Sequence, residues 1–233
     1  VRPVDKPYRW TSADVVRKVK FVAQKHFHKR NIKVGHAGTL DPLATGVLLV
    51  CLGKATKQAE ALQAEQKEYI ASIELGATTP CFDLEKEIDC RYPYEHITRE
   101  MVEGILPKFI GEQDQIPPVF SAKLIDGTRA YEMARAGEEV GMKPARITIY
   151  DLEIMEFELP KLVLRVKCSK GTYIRSLISD IGEELSCGAV MTSLRRTKAN
   201  GISIDKCYTV EELEKLKRNK EELLEKSIKD IHQ

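Results

Sequence analysis

Residues 35–52 constrain the fold more than any other part of the chain. The loop Gly35-His36-Ala37-Gly38-Thr39-Leu40-Asp41-Pro42-Leu43-Ala44-Thr45-Gly46 runs straight into Val47-Leu48-Leu49-Val50-Cys51-Leu52. An apolar run of that length reads as a strand buried on both faces. The stretch before it cannot be helical, because Pro42 biases Asp41 away from the helical region and withholds a backbone donor. Its glycines let the backbone turn tightly and lie close to a ligand. Asp41 is therefore a carboxylate on a shaped loop that is anchored to a core. Two roles fit such a residue, an acid capping a turn and a catalytic carboxylate. The loop alone does not choose between them.

A chain of 233 residues can bury a substantial core. No apolar run approaches the ~20 residues of a membrane span, and no signal peptide opens the sequence. Membrane partners are therefore not expected. The chain opens at Val1 without a Met, so a missing start is expected. Cysteines stand at 51, 81, 90, 168, 187 and 207, with no C-x-x-C pair and no clustered histidine. That pattern argues against a disulfide framework and against a metal site, and fits a reducing cytoplasm.

The net charge of +2 hides an asymmetry. Residues 1–58 hold 12 Lys and Arg against Asp5, Asp14 and Asp41, while the remaining 25 bases face 32 acids. A second basic stretch, 161–198, sets eight bases against Asp180, Glu183 and Glu184. Either a solvated lysine-rich face or a groove for a polyanion accounts for such stretches. Their position around the Asp41 loop favours nucleic acid.

The periodicity predicts an α+β protein with a mixed, mainly antiparallel sheet flanked by helices. Thr11 and Asp14 read as an N-cap ahead of Val15, Val16, Val19, Val22 and Ala23 at helical spacing. A helix is expected near 56–67, a strand over 69–75, and a helix over 101–110 ended by a Gly/Pro break from 111 to 118. Strands over 147–157 and 162–168 pair across Glu158–Lys161. A helix follows over 172–185, then a strand over 190–194. Segment 112–144, with Pro117, Pro118, Lys123, Arg129 and Tyr131 and a short helical patch near 130–136, reads as a flap. Thr209 and Glu212 open an amphipathic helical appendage over 206–233, its stripe formed by Leu213, Leu216, Leu223, Leu224, Ile228 and Ile231.

The wording of the loop narrows the function. GHAGTLDPLATGVL resembles the catalytic signature of the TruB-type tRNA pseudouridine synthases. Lys6-Pro7 ahead of Thr11-Ser12 is similar to that family's opening motif, and Lys67-Glu68-Tyr69 followed by Leu75-Gly76 to its second stretch. Lys170-Gly171-Thr172-Tyr173-Ile174-Arg175-Ser176-Leu177 resembles its third, and Ser193-Leu194-Arg195-Arg196-Thr197 a later one. The motifs run in order across 5–205. Two departures stand out. Thr79-Pro80-Cys81-Phe82-Asp83 replaces the usual Thr-Asp-Thr-x-Asp, and Arg9 stands where the family commonly has Gly.

The resemblance implies a pseudouridine synthase fold over 1–205 and an RNA-contacting flap at 112–144. Bacterial relatives often end in a small PUA RNA-binding domain; 206–233 leaves no room for one, so it is expected to be absent or removed. The resemblance also implies isomerisation of the uridine at conventional position 55 in the tRNA T loop, without metal or organic cofactor. Asp41 would be the nucleophile, paired with Arg175, while Tyr69 would stack on the base and remove the C5 proton. Tyr173 and Leu194 would line the uracil pocket, His36 on the nucleophile loop would fill the space left by the flipped base or stack against neighbouring bases, and Lys6 and Pro7 would support the loop. The expected partner is the tRNA T-arm stem-loop, and the expected state is a cytoplasmic monomer. Two other readings are an RNA-binding or tRNA-refolding module and a guide-RNA-dependent relative.

Overall fold

In a computed structural model the elements follow in chain order: β1 (Arg2–Lys6), α1 (Ser12–Phe27), β2 (Val34–Ala37), β3 (Ala44–Leu52), α2 (Ala59–Gln63), β4 (Lys67–Leu75), β5 (Ala77–Thr78) and β6 (Cys90–Arg91). Then come α3 (Arg99–Ile105), β7 (Gly111–Gln115), β8 (Leu124–Ile125), β9 (Thr128–Arg129), β10 (Ala145–Glu158), β11 (Lys161–Cys168), α4 (Ile174–Glu184), β12 (Ala189–Ala199) and β13 (Ile202–Ser203). The described residues are 1–64, 66–118 and 143–217, with the backbone of 124–125 and 128–129. Lys123, Tyr131, the Arg129 side chain, the patch near 130–136 and the appendage beyond 217 lie outside them.

The chain groups into two compact units, Val1–Lys67 with Arg195–Gln233 and Glu68–Leu194. In the first, β3 takes β1 along one edge and β2 along the other, both antiparallel. β3 is buried almost throughout, as its unbroken apolar run requires. α1 starts from a full capping box: Asp14 N–H donates to Thr11 Oγ1 at 3.0 Å and Thr11 N–H to Asp14 Oδ2 at 2.8 Å. Its apolar stripe, Val15, Val19, Val22 and Ala23, is buried. Each such fully buried valine is worth about 1.5–3 kcal/mol. A second cluster packs Ala37, Val47, Leu49 and Ala199 with Ala59, Leu62, Ile202 and Ile204. Residues 210–217 are helical, starting from Thr209, whose Oγ1 accepts the Glu212 N–H at 3.1 Å.

In the second unit β10 and β11 form an antiparallel pair that turns between Glu158 and Lys161, and β7 pairs with β10 on its other side. β4 alternates strictly, burying Lys67, Tyr69, Ala71, Ile73 and Leu75. α4 buries Ile174, Leu177, Ile178 and Ile181.

Several elements differ from the sequence expectation. The helix expected near 56–67 is a 3-10 turn over Gly53–Gln58 followed by only five α-helical residues. It has no side-chain cap, and Lys67 already belongs to β4. The 101–110 helix begins earlier, at Arg99 capped by Thr98, and tightens to 3-10 at Pro107. Residues 112–115, expected in the flap, lie in β7. Its sequence, Gly-Glu-Gln-Asp-Gln, carries no apolar period, and its pairing with β10 makes it a strand. The 190–194 strand continues to Ala199, through both arginines of the Arg195-Arg196 pair. No described helix is long and apolar enough to cross a membrane.

Candidate active site

Asp41 sits on a turn fixed from four directions within the first unit. Ala44 N–H donates to Asp41 O at 2.9 Å, closing a β-turn with Pro42 in its second position, where the ring presets φ. Ser12, at the start of α1, brackets the preceding residue. Its buried hydroxyl donates to Leu40 O at 3.2 Å and accepts the Leu40 N–H at 3.0 Å. From the end of β1, the Lys6 ammonium donates to Pro7 O at 2.9 Å, Pro42 O at 3.3 Å and Trp10 O. Arg9 N–H also donates to Pro42 O, at 2.7 Å. Asp41 itself is half-buried.

Lys6 is fully buried. Burial brings its pKa down to about 8, with the Asp41 and Asp14 carboxylates opposing the shift. The three carbonyls solvate the charge, so Lys6 ties the Pro7–Trp10 turn to the Asp41 turn.

His36 lies on β2, opposite Val50, rather than on the loop. Burial first, then the Arg196 guanidinium, lowers its pKa, so the ring is neutral near pH 7. Its Nδ1 is buried with no hydrogen-bond partner among the described residues.

A further support, on the front of the loop, was not singled out by sequence reasoning. Arg196 is 1% exposed; its Nε donates to Val47 O at 2.7 Å and its guanidinium to Gly38 O at 2.9 Å. It holds the front of the loop against β3. Gly46 makes this possible, since with φ +112° a Cβ there would stand 2.1 Å from Arg196 O. Arg195 forks onto Asp5, at 3.1 and 2.9 Å, and reaches Thr45 Oγ1 at 3.2 Å. Both arginines had been read as members of a basic stretch and of the Ser193–Thr197 motif with no role of their own, because a buried arginine and a phosphate-facing one are the same letter.

The second unit positions Arg175. Tyr173 is the N-cap of α4, and Gln115 of β7 clamps its peptide. Tyr173 N–H donates to Gln115 Oε1 at 2.8 Å, and Gln115 Nε2 donates to Tyr173 O at 3.1 Å. Ser176 Oγ adds a bond to Ile116 O at 3.0 Å. Arg175 Nε then lies 3.9 Å from Asp83 Oδ2, with both side chains almost fully buried, and its guanidinium donates to Cys81 O at 3.4 Å. Asp83 is oriented by Glu85 N–H at 2.9 Å and by the Cys81 thiol at 3.1 Å. Burial raises the Cys81 pKa, keeping the thiol protonated as a donor. Asp83, the acid retained in the altered Thr79–Asp83 stretch, thus serves as a partner of Arg175. Tyr69 is 7% exposed on the buried face of β4, and Leu194 is half-buried on β12.

The first unit thus offers a half-buried carboxylate on a held turn, and the second a buried arginine oriented by Asp83 and Cys81 O. The family model described as "TruB family pseudouridylate synthase (N terminal domain)" matches residues 24–174. The model described as "tRNA pseudouridylate synthase B C-terminal domain" matches 175–233. A tRNA pseudouridine synthase B of Phocaeicola vulgatus is 56% identical over 207 residues, covering 89% of this chain and 88% of that protein. Its counterpart in Flavobacterium johnsoniae is 48% identical over 202 residues, covering 86% and 88%. Among solved structures, a Cbf5-Nop10-Gar1 complex matches with a TM-score of 0.67 and 31% identity over 90% of this chain. The chain spans about half, 52%, of that solved chain. The chain belongs to the TruB pseudouridylate synthase family, enzymes that isomerise uridine to pseudouridine in tRNA.

Proposed function

We propose that this chain converts the uridine at conventional position 55 in the T loop of tRNA into pseudouridine, with Asp41 as nucleophile. The observation that carries the reading is the Asp41 turn. Ser12, Lys6 and the Ala44 peptide all hold the backbone around one half-buried carboxylate. A preorganised nucleophile lowers the entropic part of a barrier.

The reaction breaks the bond from C1′ to N1 and forms one from C1′ to C5. The freed uracil rotates between the two steps, C5 loses its proton and N1 gains one, so the product is an isomer of the substrate. Asp41 attacks as the carboxylate, at C1′ or at C6, with Arg175 as its counter-charge. The bond it makes to the substrate is broken again before the product leaves, which restores the carboxylate. Tyr69 stacks on the ring and takes the C5 proton, Tyr173 closes the pocket, and the backbone near Leu194 meets the uracil edge. The T-loop base must first leave its stack, at a cost of a few kcal/mol. A neutral imidazole suits the vacated space, since it stacks without carrying a charge between bases. His36 is in that state. The catalytic body extends over 1–205, acts as a cytoplasmic monomer and takes the T-arm stem-loop as its ligand.

The test uses purified protein and an unmodified tRNA transcript with no other component, followed by mapping of pseudouridine. One modified position, in the T loop, is expected. Asp41→Asn is expected to bind the transcript and form no product. Product from Asp41→Asn would overturn the assignment of the nucleophile. No product from the wild type without an added guide RNA would favour the guide-dependent alternative.

A further inference from the structure

Beside the Asp41 turn stands a side chain that the mechanism does not use. Pro7, Tyr8, Arg9 and Trp10 form a tight turn in which Trp10 N–H donates to Pro7 O at 3.4 Å. Arg9 occupies its third position with φ +66°. That conformation favours glycine, and a side chain there costs roughly 1–2 kcal/mol. The backbone of Arg9 would do as well, or better, without a side chain. What the position gains from arginine is the guanidinium.

The guanidinium stands 5.5 Å over the centroid of the Tyr8 ring. Both residues are exposed, Tyr8 at 54%. Arg9 forms no ion pair with any described residue. This differs from the neighbouring charges. Arg17 is paired with Asp14, Arg195 with Asp5, and Lys6 with three carbonyls. Stacking on an aromatic face fixes the plane of the guanidinium and leaves its N–H edge open, the geometry that grips a phosphate at two points. The turn is pinned where it matters. Arg9 N–H and Lys6 Nζ both donate to Pro42 O, the carbonyl next to Asp41.

We propose that Arg9, stacked on Tyr8 beside the Asp41–Pro42 turn, binds a backbone phosphate of the RNA next to the target uridine. The proposal rests on the assignment of Asp41 to the reacting uridine. A phosphate contact carries no sequence information, so Arg9 strengthens binding of any strand laid across the turn.

The experiment compares wild type, Arg9→Gly, Arg9→Lys and Tyr8→Leu, using an unmodified T-arm stem-loop as probe. Dissociation constants are measured across a salt series, and turnover is measured separately. Arg9→Gly removes the strain and is expected to melt no lower than wild type. Its Kd should rise about five- to tenfold at moderate salt, and its slope of log K against log salt should fall by about 0.7–0.9, the value for one phosphate. KM should rise in step while kcat stays within about twofold. Arg9→Lys should recover only part of the affinity, since it lacks the planar fork, and Tyr8→Leu should weaken binding less than Arg9→Gly. An unchanged Kd and salt slope in Arg9→Gly would overturn the proposal while leaving the T-loop assignment intact. A wild type that binds the stem-loop but forms no pseudouridine would remove that assignment, and the binding series would still decide Arg9.

Discussion

Lys6 carries a positive charge into a fully buried site, where the charge is tolerated because three carbonyls surround it. Its pKa of about 8 in the folded chain lies below the ordinary 10.5. Below about 8 both folded and unfolded chains hold the proton, and the burial penalty is fully present. Between about 8 and 10.5 only the unfolded chain holds it, so this residue's contribution to stability rises with pH across that window. Its contribution to the site runs the other way, because a neutral amine loosens its hold on Pro42 O. Pseudouridine formation should therefore decline as pH rises through about 8 while the melting temperature does not fall with it. Lys6→Met should be slower throughout and lack that inflection. A wild-type rate that stays level from pH 7 to 9.5 would show that the ammonium is not the clamp. Arg175 gives a second prediction at this scale. Lysine keeps the charge but loses the planar guanidinium fork that now faces Asp83 and Cys81 O. Arg175→Lys should fold and lose at least tenfold, by an order-of-magnitude estimate, in kcat; a wild-type kcat would remove Arg175 from the chemistry. Asp41, Tyr69 and Arg175 were legible as letters because their motifs are long. Arg196, Ser12 and Gln115 were not, because what they do is accept and donate within the backbone, which no spacing reveals.

At the scale of elements, the site depends on β3 and β12 approaching closely at Gly46. A Cβ at that position would meet Arg196 O at 2.1 Å and Arg196 N at 2.7 Å, and φ +112° disfavours any side chain. Gly46→Ala should destabilise by about 3 kcal/mol or more, combining steric displacement with backbone strain. For a chain of this size that lowers the melting temperature by roughly 6–12 °C. Gly53→Ala, with φ +57° and open space around its Cβ, should cost about 1 kcal/mol. Calorimetry on the pair separates crowding from backbone strain, and equal losses would show that the approach of Arg196 is not limiting. Activity should fall with Gly46→Ala beyond its stability loss, because the displaced residue is the one holding Gly38. The elements that sequence made legible are those with a clean apolar period, such as β3, β4 and α1. β7 was missed because it is all polar apart from Gly111, and β2 because its four residues, Val-Gly-His-Ala, are too short to show a period. Both become strands through their neighbours, β10 and β3.

For the whole molecule, the charge pattern written in the sequence is only partly available to a polyanion. In the stretch 161–198, Lys161, Arg165 and Arg195 are ion-paired and Arg175 and Arg196 are buried. Lys167, Lys170 and Lys198 remain. Among the 12 bases of residues 1–58, Lys6 is buried, Arg17 is paired with Asp14 and Lys18 with Glu214. The other nine, Arg2, Arg9, Lys20, Lys25, Lys29, Arg30, Lys33, Lys54 and Lys57, are exposed, and all belong to the unit that carries the Asp41 turn. The electrostatic grip on tRNA should therefore come mainly from this unit and fall on the arm that delivers the target uridine. If about half of these nine meet phosphates, log K should fall against log salt with a slope near −3 to −4. The isolated T-arm stem-loop should bind nearly as tightly as whole tRNA and show nearly the same slope, since these nine all lie on the unit that carries the Asp41 turn. Paired salt titrations with the two RNAs measure both quantities. A flat dependence on salt would remove the basic surface as the source of affinity. A whole tRNA that binds far more tightly and with a steeper slope would mean that phosphates outside the T arm are held by charges beyond these nine.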